Sequence, residues 1–166
     1  IVVVASAGNS GNNCSTVSDP ASIFAGSFSV GASRQNDTIA LFSSRGPVTV
    51  DGSNRLKPNV VAPGVGVRSA VRGGGYANFN GTSMAGPHVA GLVALMISAN
   101  PDLAGQVEKI ETIIEETAKP MQTTENCGGV SGLQIPNNTY GYGRVDALAA
   151  VERALQLTAD TDNIKS

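Results

Sequence analysis

Residues 80–89, NGTSMAGPHV, set a serine among small residues and a histidine five positions later. Those residue types are the working parts of nucleophilic acyl transfer: a hydroxyl that attacks a carbonyl and an imidazole that takes its proton. Ser83 precedes an apolar run, so it sits where a helix begins. Free N–H groups and the positive end of the helix dipole would stabilise an oxyanion on an acyl group attacked by Ser83, partly through the Ser83 N–H itself. The plain alternative is a serine that only caps the helix. His88 is the single histidine of the chain. Five helical residues turn about 500° and rise about 7.5 Å, which leaves His88 about 140° off the Ser83 face. A general base must approach to about 3 Å. His88 is therefore expected to be a core or helix-packing residue, and the base for Ser83 to lie outside this sequence.

The order of the parts discriminates further. GTSMA differs by one residue from the G-x-S-x-G elbow of the α/β-hydrolases, with Ala85 where glycine is expected, but that order puts the acid and the histidine after the serine. Only His88 follows Ser83. The order Asp, His, Ser needs both partners earlier in the chain. The sequence opens abruptly on IVVVASAGN, whose four leading β-branched residues read as a buried strand from Ile1 onward. The expectation is a cut inside a larger domain, which would remove the two partners and the strand's neighbour together.

The elements that must position Ser83 are short. FSVGAS, NVVAPG and VRSAV read as strands, GGGYANFNG as a turn and an extended segment, and IALF as at most a brief strand. TSMAGPHVAGLVALMISAN is apolar nearly all round, which predicts a buried helix kinked at Pro87 and ended by Asn100-Pro101. Leu103, Val107, Ile110, Ile114 and Thr117 form the stripe of an amphipathic surface helix, with Glu108, Glu111, Glu115 and Glu116 mainly outside it. RVDALAAVERALQL predicts a last helix with Asp146 in its first turn, and residues 158–166 a frayed tail. β-Branched strands joined to apolar helices give an α/β layer fold with a parallel sheet.

Composition narrows the function classes. Glycine at 20 of 166 residues implies many tight turns. The net charge is −2 with no basic stripe, which argues against a nucleic-acid partner. No run approaches 18 apolar residues, so no membrane span is expected. Cys14 and Cys127 lie outside any Cys-x-x-Cys pair, so zinc has no support. They suit one disulfide of a secreted protein, with two unrelated free thiols as the alternative.

GTSMAGPHVAG at residues 81–91 closely resembles the serine segment of the subtilisin family, the subtilases. SAGNSG at 6–11 resembles the segment carrying that family's oxyanion-hole asparagine; FSVGA, FSSRGP and VVAPG match further segments in order, and YGYGRVDALAAV resembles the closing helix. The resemblance runs from Ile1 to about Ala154. It implies a three-layer parallel-sheet fold present as its C-terminal portion, residues 1–157, and a secreted serine endopeptidase in the intact parent. Ser83 would then be the nucleophile and Asn9 an oxyanion donor, against the plainer reading of Asn9 as a turn residue. Ser6, Ala7 and Gly8 would wall the pocket for the substrate side chain, with Ser18 near its base and Thr82 beside the nucleophile. Asp19-Pro20 aligns with a bond that is often cis in the family.

The family's Asp and His segments have no counterpart here, so the chain alone is expected to be inactive, to need the upstream half of the same catalytic domain as partner, and to self-associate without it. A non-catalytic protease-like binding or assembly module is the competing reading. Calcium is common in the family; Asp37 with Asn36 and Asp51 with Asn54 read better as solvated turns than as an identifiable site. The sequons at Asn13, Asn36, Asn80 and Asn137 read as chance, since one overlaps the serine motif.

Overall fold

The computed structural model describes residues 1–164, with side chains described through Leu157, so the tail expected at 158–166 lies outside what is described in full. Three parallel strands form the central sheet in the order β1 (Val4–Ser6), β2 (Phe28–Ser33), β3 (Val60–Pro63). The register pairs Val4 with Phe28 and Val30 with Val60. An antiparallel hairpin follows, β4 (Val67–Val71) and β5 (Gly75–Phe79), then helix α1 (Thr82–Ala99), a 3-10 turn (Pro101–Leu103) and α2 (Val107–Thr117). A two-residue hairpin, β6 (Asn126–Cys127) and β7 (Val130–Ser131), precedes α3 (Ala147–Ile164).

The period-2 pleat of β2 puts Phe28, Val30 and Ala32 into one core with Val60 and Ala62 of β3 and Ala85, Val89, Leu92 and Met96 of α1. The last three lie three or four residues apart, a helical stripe laid on the sheet. Ile110, Ile113 and Ile114 of α2 and Ala150 and Ala154 of α3 complete the same cluster. A second, smaller cluster joins Ala7, Val17 and Val48 beneath the loop that leaves β1.

Several expectations need correction. Ile1 is fully exposed and Val3 is 49% exposed; the strand begins only at Val4, because β1 is an edge of this sheet. Helix α1 is not buried all round: Leu95 is 55% exposed. By length and composition α1 could cross a membrane, with 18 residues at mean hydropathy 1.3. A core helix passes the same test, and α1 packs on all three sheet strands and on α3. In α2 the buried residues are Ile110, Ile113 and Ile114, and Leu103 belongs to the separate turn. Asp146 precedes α3 and caps it, its Oδ1 accepting the Ala149 N–H at 3.1 Å. At IALF only an isolated bridge forms, Ile39 with Ser33.

Cys14 and Cys127 are joined as a disulfide, with Cα atoms 5.2 Å apart and a sequence separation of 113. Two buried cations were not foreseen. Arg45 is fully buried, and its guanidinium donates to both Glu125 oxygens at 2.9 and 3.1 Å and to the carbonyls of Ala40 and Ser43. The Arg45 hydrogen bonds hold the Glu125 carboxyl below its usual range. Lys57 donates to the Ser27 carbonyl at 2.5 Å and to Asn59 Oδ1 at 2.7 Å, while Asn59 Nδ2 donates to Glu115 at 2.9 Å.

Burial pushes the Lys57 ammonium down to about 8 from 10.5, with Arg55 adding to the shift and Glu111 and Glu115 opposing it. The unfolded chain then holds this proton up to a higher pH than the folded chain does. Stability contributed by Lys57 should therefore rise as pH climbs from about 8 to 10.5, by up to about 3 kcal/mol. Denaturant unfolding at pH 7.5 and pH 9.5 checks this: the rise should be absent from Lys57→Met.

Candidate active site

The loop leaving β1 and the start of α1 meet at one side chain. Asn9 Oδ1 accepts the Thr82 N–H at 2.9 Å and the Thr82 hydroxyl at 3.1 Å, across 73 residues of sequence. The same hydroxyl accepts the Gly8 N–H at 3.3 Å. With two donors on its oxygen, the Asn9 amide is held at its tip, with Nδ2 turned away from Thr82. Thr82 is fully buried and Ser83 is exposed.

Gly81 shows where Nδ2 points. Its φ is +152°, and a Cβ built there would lie 3.7 Å from Asn9 Nδ2, 3.7 Å from the Ser83 nitrogen and 3.5 Å from Met84 Sδ. The two nitrogens thus border one small volume, left empty because residue 81 has no side chain. Both are hydrogen-bond donors, and neither has an acceptor among the described residues. The Ser83 N–H is one of the orphan donors of a helix start. The arrangement is a two-donor nest beside an exposed hydroxyl, at the positive end of an 18-residue helix.

Neighbouring backbone holds the helix start in place. The Gly81 N–H donates to Gly64 O at 2.8 Å, and Asn80 Oδ1 accepts the Gly66 N–H at 2.7 Å. The chain after β3 is thereby tied to residues 80 and 81. Gly64 must be glycine for this: a Cβ would come within 2.5 Å of Ala32 Cβ and 2.8 Å of Gly81 O.

His88 is exposed rather than in the core, and its Nδ1 lies 2.9 Å from the Met84 carbonyl. Its ring is engaged on its own helix, and no described side chain hydrogen-bonds Ser83 Oγ. Ser6 is half-buried against α1, where a Cβ on Gly86 would lie 3.6 Å from its Oγ. Ala7 is fully buried, with its side chain in the cluster with Val17 and Val48. Gly8 has φ +106°, and Ser18 is half-buried just after Val17. The cis X-Pro bonds are Gly46-Pro47, Lys57-Pro58 and Ile135-Pro136; the bond expected to be cis, Asp19-Pro20, is not among them.

The acidic turns do not fit a cation. Asp37 is paired with Lys119 at 2.9 Å and with Arg144 at 3.0 Å, and Asp51 with Arg55 at 3.2 Å. Among the described residues no group of three or more acidic, histidine or cysteine side chains is placed to hold a metal. What sequence reasoning missed is the support of the loop, Ser44, Arg45 and Glu125. The only signal for it was the FSSRGP segment.

The sequence matches the subtilase family over residues 1–143. It is 40% identical over 137 residues to bacillopeptidase F of Bacillus subtilis (strain 168), covering 82% of this chain and 9% of that protein. It is 43% identical over 133 residues to alkaline elastase YaB of Bacillus sp. (strain YaB), covering 80% and 31%. It is 39% identical over 150 residues to subtilisin BL of Lederbergia lenta, covering 90% and 46%. The chain thus spans less than half the length of these curated relatives. The prenylagaramide maturation protease PagA has a similar fold, with a TM-score of 0.69 at 24% identity over 93% of this chain and 50% of that one.

Thr82→Val should remove one of the two donors on Asn9 Oδ1 and lower stability by about 0.5–1.5 kcal/mol. The Asn9 side-chain NH2 resonances should shift in the same variant and stay in place in Ser83→Ala. Unfolding curves and 15N-edited NMR check both parts.

Proposed function

Because this chain belongs to the subtilase family, a family of serine proteases, we propose that Ser83 is the nucleophile of a peptide-bond-hydrolysing centre and that Asn9 and the Ser83 N–H form its oxyanion hole. The observation that carries this reading is the convergence of Asn9 Nδ2 and the Ser83 nitrogen on the volume vacated at Gly81. In this reading Ser83 Oγ bonds to the scissile carbonyl carbon, and the carbonyl oxygen gains the electron pair and moves into that volume. Two donors and the start of α1 meet it there. The hydroxyl proton passes to a base, which returns it to the leaving amine as the C–N bond breaks. Water then cleaves the acyl-enzyme ester by the same steps.

In this reading the base is not supplied by residues 1–166: the one histidine lies five residues along α1 from Ser83, and no described side chain hydrogen-bonds Ser83 Oγ. The catalytic histidine and aspartate are assigned to another part of the full polypeptide, which would be this segment's partner. Polypeptide is the substrate class. Ser6, Ala7 and Gly8 supply one backbone wall of the cleft and Ser18 its base, while Thr82 acts by holding Asn9 rather than by touching substrate. The disulfide supports an extracellular setting.

In the full polypeptide, Asn9→Ala should lower kcat by about 10²–10³ with little change in KM, the loss seen when a subtilisin loses its oxyanion asparagine. The purified 166-residue chain should turn over a chromogenic peptide far below the rate of an intact subtilase. A family-like rate from the chain alone, abolished by Ser83→Ala, would overturn the assignment of the base. A folded full polypeptide with no activity would favour the non-catalytic module.

The exposed edge at β1, with Ile1 and Val3 bare beside it, is a template for pairing with another chain. The isolated chain should therefore run as a dimer or larger in light scattering at high micromolar concentration. Supplying the rest of the polypeptide in trans should return it to one-to-one complexes. A stable monomer would count against this.

A further inference from the structure

The FSSRGP segment, residues 41–47 with its flanks, is the one motif the proposed chemistry leaves without a task. Ser44 within it is fully buried and grips the chain on both sides of Asn9. Its N–H donates to the Gly8 carbonyl at 2.9 Å, and its Oγ accepts the Ser10 N–H at 3.1 Å. Gly8 is shaped for this contact: a Cβ on it would lie 2.8 Å from Ser44 Oγ, and its φ of +106° already favours glycine.

Ser44 is itself held from behind. The Arg45 carbonyl accepts the N–H groups of Thr16 and Val17 at 2.8 and 3.0 Å, and the Arg45 N–H donates to Thr16 Oγ1 at 2.9 Å. Phe42 O accepts from Gly11 and Gly46 O from Ser15, at 2.9 and 3.0 Å. Residues 42–46 thus run along residues 8–17 and bond to them at Phe42, Ser44, Arg45 and Gly46. The guanidinium of Arg45 fixes this strap to Glu125.

We propose that Ser44 is a positioning residue for the oxyanion donor: it sets the backbone of Gly8 and Ser10, and through them the aim of Asn9 Nδ2 at the volume beside Gly81. This rests on the reading of Asn9 given above. Thr82 fixes the far end of the Asn9 side chain, and Ser44 fixes its root. Both anchors are required because an amide held at one end can still swing. A misplacement of about 1 Å at a reacting centre is enough for losses near 10²-fold. Ser44 touches neither substrate nor the reacting atoms, so its effect must pass through Asn9.

The test is a double-mutant cycle in the full polypeptide, read as kcat and KM for a chromogenic peptide, with Tm recorded for each variant. Ser44→Ala should lower kcat by about tenfold and leave KM within about twofold, because the oxyanion contact is made only in the transition state. In the Asn9→Ala background, Ser44→Ala should lower kcat no further. If Ser44→Ala fails to fold, Ser44→Cys takes its place; the sulfur is a weaker acceptor, so a smaller kcat loss is expected, again absent beside Asn9→Ala. An equal kcat loss in both backgrounds, or a drop in Tm with kcat unchanged, overturns the role of Ser44 alone. A full kcat in Asn9→Ala overturns instead the oxyanion reading on which it rests.

Discussion

The carbonyl oxygen of Asn9 is the joint on which the site depends. Helix α1 starts without a side-chain cap from Gly81, its own N-cap residue. An acceptor for its first N–H arrives from the loop after β1, as Asn9 Oδ1 on Thr82. One asparagine therefore does two things with its two ends. The oxygen satisfies a buried helix start, which would otherwise leave an unpaired donor costing about 1–3 kcal/mol. The nitrogen is left over, with no acceptor among the described residues. Stability of the helix and orientation of the free donor are the same interaction, so neither can drift without the other.

The parts of this that could be read from the sequence are those encoded locally. β-Branched runs gave the parallel strands, the apolar run after Ser83 gave α1, and the helical turn angle kept His88 away from Ser83. The distant partnerships were not visible. Ser44 and Arg45 look like ordinary polar surface residues in sequence; they are buried because Gly8, Thr16 and Glu125, up to 80 residues away, complete their hydrogen bonds. Lys57 was passed over for the same reason. The extent of β1 and the open face of α1 depended on what lies beside them, which no run of residues reports.

The two buried cations hold the same long connection between β2 and β3 in different ways. Arg45 presents a planar fork to a carboxylate and fills its other donors with carbonyls, so its charge is paired and Glu125 stays ionised. Lys57 has a carbonyl and an amide oxygen as partners, and its carboxylates stand further back. Burial raises Glu111 and Glu115 as it lowers Lys57, so this cluster resists charging on both sides. The first arrangement stays charged across neutral pH; the second changes charge nearer to it.

The placement of Glu125 explains why the brace is doubled. It lies two residues before Cys127, whose disulfide reaches Cys14, five residues beyond Asn9 in the same loop. The ion pair and the covalent bond thus tie the same two loops, one through the strap of residues 42–46 and one directly. A loop with glycines at 8 and 11, both at positive φ, has many conformations open to it. Oxyanion stabilisation depends on dipoles that are already in place when charge appears. Rigidity must therefore come from outside the loop, and here it does: from Thr82 at the tip of the side chain, Ser44 at its root, Arg45 along the backbone, and Cys127 through its disulfide to Cys14.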